Sequence, residues 1–400
     1  MCRFRLVPSA AQEQVLREHC AHARFAWNLG HEQRSAYRPG RRPAPGYAEQ
    51  CRQLTEARGA EPWLAAGSQN VQQQALRDLD QAWQNFFAGT HRKPVWRKAG
   101  RNEGFRVTGK RGDHWNIRRV SRRWGEVRIP KVGWVRFRWS RAVPDTKSYR
   151  VTLDRAGRWH VAFAAKPDPI AGPGTGEVVG VDRGVVASAA LSTGAVFCAP
   201  RPSLGRQRRL ALLQRQASRQ LVRGKPASAR LKRTRRSIAR LRARDADARK
   251  DWCEKLSTDL ARNFDVIRVE DLQIRNMMRS AKGAPSAPGR NVRQKTGLNR
   301  GIGTSGWGLL VRRLEHKAPG RVEKINPAFT SQRCSACGHV DPKSRKSQAD
   351  FRCTACGFAC NADVNAAKNI AAGHAVTARG GDGVAQPVNR EPQPMLRTTA

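Results

Sequence analysis

Four cysteines stand in two closely spaced pairs near the C-terminal end of this 400-residue sequence. Cys334 and Cys337 form the first pair, and Cys353 and Cys356 form the second, each as a C-x-x-C motif. This spacing is typical of a zinc ribbon, in which four thiolates bind one Zn²⁺ ion. Because four protein ligands leave no open coordination position, we expect the zinc ion to be structural and not catalytic.

The other nearby donors and the remaining cysteines have alternative interpretations. His339 and Cys360 lie beside the two pairs and could replace one of the four zinc ligands. Clustered cysteines bind metal more often than they form disulfides in a reducing compartment, which fits a cytoplasmic protein. The isolated cysteines are interpreted as small apolar residues: Cys2, Cys20, Cys51, Cys198 and Cys253.

Three acidic residues from distant parts of the chain form a second candidate site. Asp182 lies in the apolar run VVGVDRGVV, Glu270 ends another in VIRVEDL, and Asp363 begins the helical pattern NADVNAAKNI. Acids at the ends of buried strands are costly unless they are paired or bind metal. Three converging carboxylates can hold two Mg²⁺ ions, which can activate a water and stabilise the leaving oxygen of a phosphodiester.

Each of these acids also has a purely structural interpretation. Asp182 could be a turn residue, Glu270 could pair with an arginine, and Asp363 could cap its helix. Asp271 is the rival of Glu270 for a place in the site. Because side chains alternate along a strand, only one of these two neighbours can point into the site.

The charge of the chain predicts a polyanionic partner. The sequence contains 76 Lys and Arg against 31 Asp and Glu, a formal net charge of +45. Nucleic acid is the first candidate because neutralised phosphates release condensed counterions; an anionic membrane surface is the minor alternative. Residues 201–250 hold 18 Lys and Arg with two acids, and residues 91–141 hold 17 with three. The second block includes tryptophans that either stack on bases or fill a core: Trp96, Trp115, Trp124, Trp134 and Trp139.

Membrane and secreted classes are disfavoured by the hydropathy pattern. No apolar run approaches the ~18 residues that a membrane span needs, and the sequence MCRFRLVPS does not resemble a signal peptide. We therefore expect a cytoplasmic protein with no membrane partner.

The first half of the sequence predicts helices followed by a small basic β-barrel. Ser9 and Gln12 form a capping-box motif, and apolar residues at helical spacing predict another helix over 68–87. Residues 105–166 alternate between apolar and polar side chains, with hairpin turns predicted at 131–133 and 154–157.

The second half predicts strands and helices around the two candidate sites. The Gly/Pro-rich segment 167–176 is a predicted linker, and the tail 374–400 lacks hydrophobic periodicity and is predicted to be disordered. Between them we predict two strands over 177–197, an Arg-rich helical hairpin over 204–222 and 227–250, a separate helix over 251–263, a buried strand over 266–272, a flexible segment over 280–304 and a helix over 305–317.

The motifs VVGVDRGVV, VIRVEDL and TSQRCSACG…FRCTACG…NADVNAAKNI, in this order, resemble the TnpB/OrfB proteins of insertion sequences, compact relatives of type V CRISPR effectors. Further similar segments are FRLVPSAAQEQ, ALRDLDQAWQNFFAG and IPKVGWVRF, so the resemblance covers residues 3–373. It implies that Asp182, Glu270 and Asp363 are the first, second and third catalytic acids. Arg183 departs from the family pattern, and we expect it to point away from the metals with a small effect.

The resemblance also implies an α+β multidomain architecture. A RuvC-like nuclease domain of RNase H fold, a mixed sheet with helices, would carry an inserted zinc ribbon, and the N-terminal half would be a wedge β-barrel with a helical recognition insert. The implied boundaries are 1–8 and 95–166 for the barrel, 9–94 for the insert, and 174–373 for the nuclease domain, which includes the basic hairpin 201–250 and the ribbon 328–360.

The function implied by the resemblance is Mg²⁺-dependent, RNA-guided cleavage of double-stranded DNA. A guide RNA from the transposon end would pair with the target strand. A protein monomer would hold one RNA and would recognise the sugar–phosphate backbone and the shape of the nucleic acid. The alternative is a catalytically inactive nucleic-acid-binding accessory or regulator of an insertion sequence. A DDE transposase is disfavoured by the Asp–Glu–Asp order, and a stand-alone junction resolvase is disfavoured by the N-terminal half and the charge.

Overall fold

The computed structural model describes residues 2–35, 44–109, 111–112, 115–165 and 167–373, so the tail predicted to be disordered lies outside the described residues. The chain divides into two compact units. The first comprises the described residues of 1–166 and 210–240, and the second those of 167–209 and from 241 onward. The middle of the predicted basic hairpin is therefore grouped with the N-terminal unit, whereas the family resemblance implies a nuclease domain that includes the whole hairpin. No described helix is long and apolar enough to cross a membrane.

The first unit begins with one strand and four helices. These are β1 (Cys2–Val7), α1 (Ala10–Ser35), α2 (Tyr47–Ala60), α3 (Pro62–Ala66) and α4 (Gln69–Phe87). The predicted capping box is confirmed: the Gln12 main-chain N–H donates to Ser9 Oγ, and the Ser9 N–H donates to Gln12 Oε1. Helices α1 and α4 pack closely at Gly30, where a Cβ atom would lie 2.9 Å from side-chain carbons of Leu76 and Leu79.

Six further strands complete a seven-stranded antiparallel sheet. They are β2 (Gly104–Thr108), β3 (Ile117–Arg119), β4 (Trp124–Ile129), β5 (Gly133–Arg138), β6 (Ser148–Leu153) and β7 (Trp159–Phe163), in the order β2-β6-β7-β1-β5-β4-β3. Both predicted hairpins, β4–β5 and β6–β7, are confirmed. Strand β1 pairs with β7 along its first residues and with β5 at its end, so the sheet bends at β1.

The bent sheet surrounds one aromatic core. The ring of Phe4 on β1 contacts Phe137 on β5 and Phe163 on β7, at centroid distances of 5.4 and 5.7 Å. Because these partners come from opposite halves of the sheet, the two halves curl around a shared interior. Trp115 is a core residue, whereas Trp96 is exposed, so the tryptophans of the basic block do not share one role.

The second unit is built on a five-stranded mixed sheet. Its strands are β8 (Val178–Asp182), β9 (Ala189–Leu191), β10 (Val196–Phe197), β11 (Val266–Glu270) and β14 (Val322–Ile325), in the order β10-β9-β8-β11-β14. Strands β8, β11 and β14 are parallel, and β9 is antiparallel to β8. Two short hairpins lie outside this sheet, formed by β12 (Gly283–Ala284) with β13 (Ala287–Pro288) and by β15 (Asp350–Arg352) with β16 (Ala359–Asn361).

The remaining helices are α5 (Leu204–Arg219), α6 (Ala229–Asn263), α7 (Ile274–Met277), α8 (Val292–Ser305), α9 (Trp307–Lys317) and α10 (Ala362–Ala372). Residues of α5 and α6 are shared between the two units. Apolar side chains of β8 and β11 form a core with Leu256 and Leu260 of α6 and Leu310 and Leu314 of α9. The opposite face of β8 carries α10, so the sheet lies between two helical layers.

Three sequence expectations are wrong in detail. The helix predicted separately over 251–263 is the end of α6, which contains neither Gly nor Pro and continues without interruption. The segment 280–304 is folded into the β12–β13 hairpin and α8, because buried Ile302 anchors a sequence whose glycines indicated flexibility. The strands predicted over 177–197 are three and not two.

Gly180 in β8 is required by the close approach of α10. A Cβ atom at this position would lie 2.0 Å from the carbonyl oxygen of Ala367 and 2.4 Å from the main-chain nitrogen of Ala371. The main chain of α10 thus rests directly on β8, which fixes the position of the first turn of this helix relative to the end of the strand.

We predict that Gly180→Ala destabilises the second unit by about 1–3 kcal/mol, because the added methyl group forces α10 away from the sheet. Thermal unfolding measures this effect, with about 2–4 °C expected for each kcal/mol. Gly205→Ala is the matched control, since a Cβ there meets no atom within 4 Å. Equal unfolding temperatures in the two variants would contradict the described contact.

Candidate functional site

Asp182 and Glu270 lie at the same edge of the second sheet. Asp182 is the last residue of β8, and Glu270 is the last residue of β11. The parallel register pairs Val181 with Val269, so the two acids follow adjacent positions at the carboxyl ends of neighbouring strands. Because side chains alternate, both acids project from the face opposite the valines, which is the face that carries α10.

The first turn of α10 brings Asp363 to this edge. Asn361 caps the helix, and its side-chain oxygen accepts hydrogen bonds from the main-chain N–H groups of Asp363 and Val364. A Cβ built on Gly184 would lie 3.8 Å from Asp363 Oδ2, which places that carboxylate against the turn that follows Asp182.

The three carboxylates repel one another in a poorly solvated environment. Burial, together with the charges of Glu270 and Asp363, raises the pKa of Asp182 to about 8, and the charge of Arg345 opposes the shift. Burial also raises the pKa of Glu270 and of Asp363. A bound cation would relieve this repulsion, so the donor set and its electrostatics suit a divalent metal that prefers carboxylate oxygens.

Neutral and basic neighbours partly compensate the acids. Thr330 Oγ1 donates a hydrogen bond of 2.7 Å to Glu270 Oε1, and an Arg345 guanidinium N–H donates one of 3.2 Å to Asp363 Oδ1. Neither residue could be identified from the sequence, because a single Thr before the first cysteine pair and a single Arg between the two pairs carry no pattern. The spatial proximity that gives them a role exists only in the folded chain.

Arg183 differs from its expectation. Its side chain is 5% exposed and donates to the main-chain carbonyl of Glu270. Its positive charge lowers the pKa of Glu270, against the larger effect of burial. The side chain is therefore packed beneath the end of β11, and its effect on the site is not negligible.

Asp271 is exposed, and its main-chain N–H donates to the carbonyl of Ile325 on β14. Of the two neighbouring acids, Glu270 is thus the one that lies beside Asp182.

The carboxylates are less tightly grouped than the cysteines: among the described residues, only the four cysteines bring three or more candidate ligand atoms within 4.8 Å of one another.

The four predicted cysteines form one cluster. The Sγ atoms of Cys334 and Cys356 are 3.7 Å apart, and those of Cys337 and Cys353 are 3.6 Å apart. Tetrahedral thiolates at ~2.3 Å from zinc would be separated by ~3.8 Å, so the spacing fits this ion. A main-chain N–H from Cys356 lowers the pKa of Cys353 to about 6, which favours the thiolate that a metal binds.

The two cysteine turns have the same backbone design. Gly338 and Gly357 follow the pairs with φ of 79° and 73°, a conformation that side chains other than glycine rarely adopt. The N–H of each glycine donates to the carbonyl of the first cysteine of its pair. His339 and Cys360 do not belong to the cluster found among the described residues.

Helix α10 connects this cluster to the acidic edge. The Asn365 side-chain oxygen accepts from the N–H of Ser335, and its amide donates to the carbonyl of Arg333. One turn later, the buried amide of Asn369 donates to the carbonyls of Thr330 and Arg333. The segment that carries the first cysteine pair is therefore held directly on the helix that carries Asp363.

Basic side chains supply two candidate nucleic-acid surfaces. Of the 18 Lys and Arg in residues 201–250, all except Arg206 and Arg249 are exposed. On strands β3–β5, arginine guanidinium groups lie over half-buried tryptophan rings, with Arg118 at 4.4 Å from Trp134 and Arg138 at 4.7 Å from Trp124. Such charge with few compensating acids fits contact with phosphates.

Three family models match successive parts of the chain. A model described as "Helix-turn-helix domain" matches residues 1–41, "Probable transposase" of the OrfB/IS605 type matches 161–281, and "Cas12f1-like, TNB domain" matches 307–370. In the structure, the described part of 1–41 is strand β1 followed by the single helix α1.

Two relatives are similar over nearly the whole chain. A protein of Escherichia coli (strain K12) that carries the name RNA-guided DNA endonuclease InsQ is 36% identical over 409 residues, covering 100% of this chain and 98% of its own. A Streptomyces pristinaespiralis protein, also named as an RNA-guided DNA endonuclease, is 30% identical over 96% of this chain and 91% of its own. The structure titled "Cryo-EM structure of the Cas12f1-sgRNA-target DNA complex" superposes with a TM-score of 0.52 at 14% identity, covering 90% of this chain and 82% of its own.

The fold and site define a basic, mixed α/β protein with a cluster of four cysteines that could hold a metal, and with a carboxylate edge on its second sheet. The chain belongs to the OrfB/TnpB family of insertion-sequence proteins, as the family models and the two full-length relatives show. The resemblance inferred from its motifs is thereby confirmed.

We predict that Cys353→Ser removes the bound zinc, because three thiolates and a hydroxyl bind the ion far more weakly than four thiolates. Zinc content per purified chain and the unfolding temperature should both fall. Cys360→Ser is the control, since Cys360 lies outside the cluster. Normal zinc content in Cys353→Ser would contradict the assignment of the ligands.

We predict that Asp182→Asn stabilises the protein in the absence of Mg²⁺, increasingly so as the pH rises from about 4 to about 8. In the unfolded chain Asp182 ionises near its ordinary pKa of 3.8, but in the folded chain only near 8, so rising pH favours unfolding across this window. Asparagine does not titrate.

The unfolding temperature of the Asp182→Asn variant should therefore exceed that of the original protein by several degrees near pH 8, and by less near pH 5. Exposed Asp271→Asn serves as the control and should show no such trend. A difference that stays constant over this pH range would argue against desolvated carboxylates at the site.

Proposed function

We propose that this protein is a transposon-associated, RNA-guided DNA endonuclease. The proposal is supported by full-length relatives that carry this name and by a fold similar to that of a Cas12f1 complex with guide RNA and target DNA. The observation that carries it furthest is the juxtaposition of Asp182 and Glu270 at adjacent strand ends, beside the helix that presents Asp363.

In the proposed architecture the second unit contains a RuvC-like nuclease domain. A mixed sheet with three parallel strands, carrying acids at its carboxyl edge and a cysteine ribbon before the last helix, supports this interpretation. The curled sheet of the first unit would be the wedge barrel, and α1–α4 the recognition insert. The proposed boundaries remain 1–8 with 95–166, 9–94, and 174–373.

Asp182, Glu270 and Asp363 would hold two Mg²⁺ ions. When bound, these ions would supply a water activated for attack and stabilisation of the leaving oxygen of a phosphodiester. Thr330 would orient Glu270 through its hydrogen bond, and Asn361 would fix the turn that carries Asp363. The four cysteines would hold one structural Zn²⁺ that keeps the ribbon, and through Asn365 the helix, in place.

Arg345 would have two successive roles. In the absence of metal its guanidinium pairs with Asp363 and lowers the pKa values of all three acids. When cations neutralise the acids, this bidentate donor would be free to contact a phosphate of the DNA backbone at the cleavage position.

The proposed partners are a guide RNA encoded at the transposon end and a double-stranded DNA target, bound by a protein monomer with one RNA. Base pairing would read the target sequence, so the protein needs charge and shape complementarity more than base contacts. The exposed arginines of residues 201–250 provide this charge. The site of action would be the bacterial nucleoid in the cytoplasm.

We predict that the purified protein with its co-purifying RNA cleaves a matching DNA duplex in Mg²⁺. Asp182→Asn should reduce the cleavage rate by about a thousandfold or more, because metal catalysis supplies several kcal/mol of transition-state stabilisation. DNA binding should persist in the variant.

Asp271→Asn is the matched control, because it removes a neighbouring but exposed carboxylate and should keep near-normal activity. Binding without cleavage by the original protein, unchanged by Asp182→Asn, would instead indicate a catalytically inactive nucleic-acid-binding protein.

A further inference from the structure

A cavity of about 640 Å³ lies in the first unit. Helices α1 and α4, strands β2 and β6, and the segment 95–102 line it. Its volume falls within the range of small-molecule and nucleotide sites.

The segment 95–102 is held against α1 by specific hydrogen bonds. Trp27 Nε1 donates to the carbonyl of Val95 at 3.0 Å. The side-chain amide of Asn28 bonds both the N–H and the carbonyl of Arg97, at 2.9 and 3.1 Å. These hydrogen bonds fix the backbone at Arg97, and the side chain of Arg97 lines the cavity.

The Arg97 guanidinium lies over the indole of Trp27, 3.8 Å from the ring centroid. It has no hydrogen-bond acceptor and no ion-pair partner anywhere in the described part of the chain. Burial is the main reason why the pKa of Arg97 falls to about 10; the charge of Asp78 opposes this fall, and the charge of Arg150 adds to it. A partly buried guanidinium without an acceptor is costly, so its environment is suited to an anion that supplies one.

The other charged side chains of the cavity are mostly basic. Arg106 and Arg150 share a single carboxylate, Asp78, at 3.0 and 2.8 Å. Lys98 and Arg101 also line the cavity. The lining therefore contains five basic side chains and one acid, an excess of positive charge that favours phosphate.

An aromatic surface accompanies this charge. Trp96 lines the cavity and is 47% exposed, and its ring makes a T-shaped contact with the ring of His31. Base stacking on an exposed indole is worth ~1–3 kcal/mol per base in single-strand-binding proteins. An arginine suited to bind phosphate, Arg97, therefore lies directly after an accessible aromatic residue, Trp96.

We propose that this cavity binds one nucleotide unit of a nucleic acid, with its phosphate on Arg97 and its base stacked on Trp96. This proposal rests on the proposed function, which names RNA and DNA as the partners, and adds to it a binding site for one nucleotide. The nucleotide belongs either to the RNA or to the DNA that the protein holds, and the phosphate–base chemistry is the same for both.

Ultraviolet crosslinking of the full-length chain tests this site. One probe is a mixed-sequence single-stranded RNA of about 20 nucleotides, longer than a typical single-strand site; the other is a DNA duplex of the same sequence. Crosslinked peptides are mapped by mass spectrometry. We expect a crosslink at Trp96 with at least one probe, and the probe that gives it identifies the source of the nucleotide.

Arg97→Gln should lower the yield of the Trp96 crosslink by about tenfold or more, because a charge-assisted contact to phosphate is lost. Crosslinks within residues 201–250 should not change. Arg52→Gln is the matched control: it makes the same change in net charge at an exposed arginine already paired with Glu49 and Glu56.

Arg97→Lys separates binding from folding, since it keeps the charge and should restore part of the crosslink at an unchanged unfolding temperature. The proposal is overturned if Trp96 crosslinks with neither probe, if Arg97→Gln behaves like Arg52→Gln, or if the crosslink is lost only together with the native unfolding transition. The experiment needs neither Mg²⁺ nor a matched guide, so a failure of guided cleavage would leave this result standing, and the reverse also holds.

Discussion

The mutual repulsion of three carboxylates at one edge of a sheet is the constraint on which the second unit depends. Asp182 and Glu270 end neighbouring parallel strands, and Asp363 approaches them from a helix. Water solvates these groups poorly, so burial and like charge both raise the pKa of Asp182. A protein accepts such a cost where a cation or a reaction requires it, which is why this edge, and not the larger charged surfaces, is the proposed centre of catalysis.

The surrounding structure holds the repelling groups together. Gly180 lets α10 lie directly on β8, and Asn365 and Asn369 bind that helix to the first cysteine turn. The cysteine cluster therefore acts on the acidic edge through the helix. The apolar core of the ribbon is small, so a zinc ion bound by the four thiolates would add rigidity to the ribbon and, through the helix, to Asp363.

The positive charge of the chain is distributed in two distinct ways. Along α5 and α6 the basic side chains are exposed and few are paired, which suits a mobile polyanion held by counterion release. In the first unit, arginines are ordered over tryptophan rings or share carboxylates, as Arg97 lies over Trp27 and Arg106 binds Asp78. The exposed charges would increase the affinity for a polyanion, whereas the ordered arginines can position individual phosphates.

The sequence alone determined the features that depend on local spacing. Two C-x-x-C pairs predicted a four-thiolate cluster, alternation predicted both hairpins of the curled sheet, and motif order predicted the family. Tertiary structure decided what depends on proximity between distant residues. It placed Glu270 and not Asp271 beside Asp182, and it brought Arg345 and Thr330 to the acids. It also folded 280–304, because a long-range contact at Ile302 outweighs the flexibility that local glycines indicate.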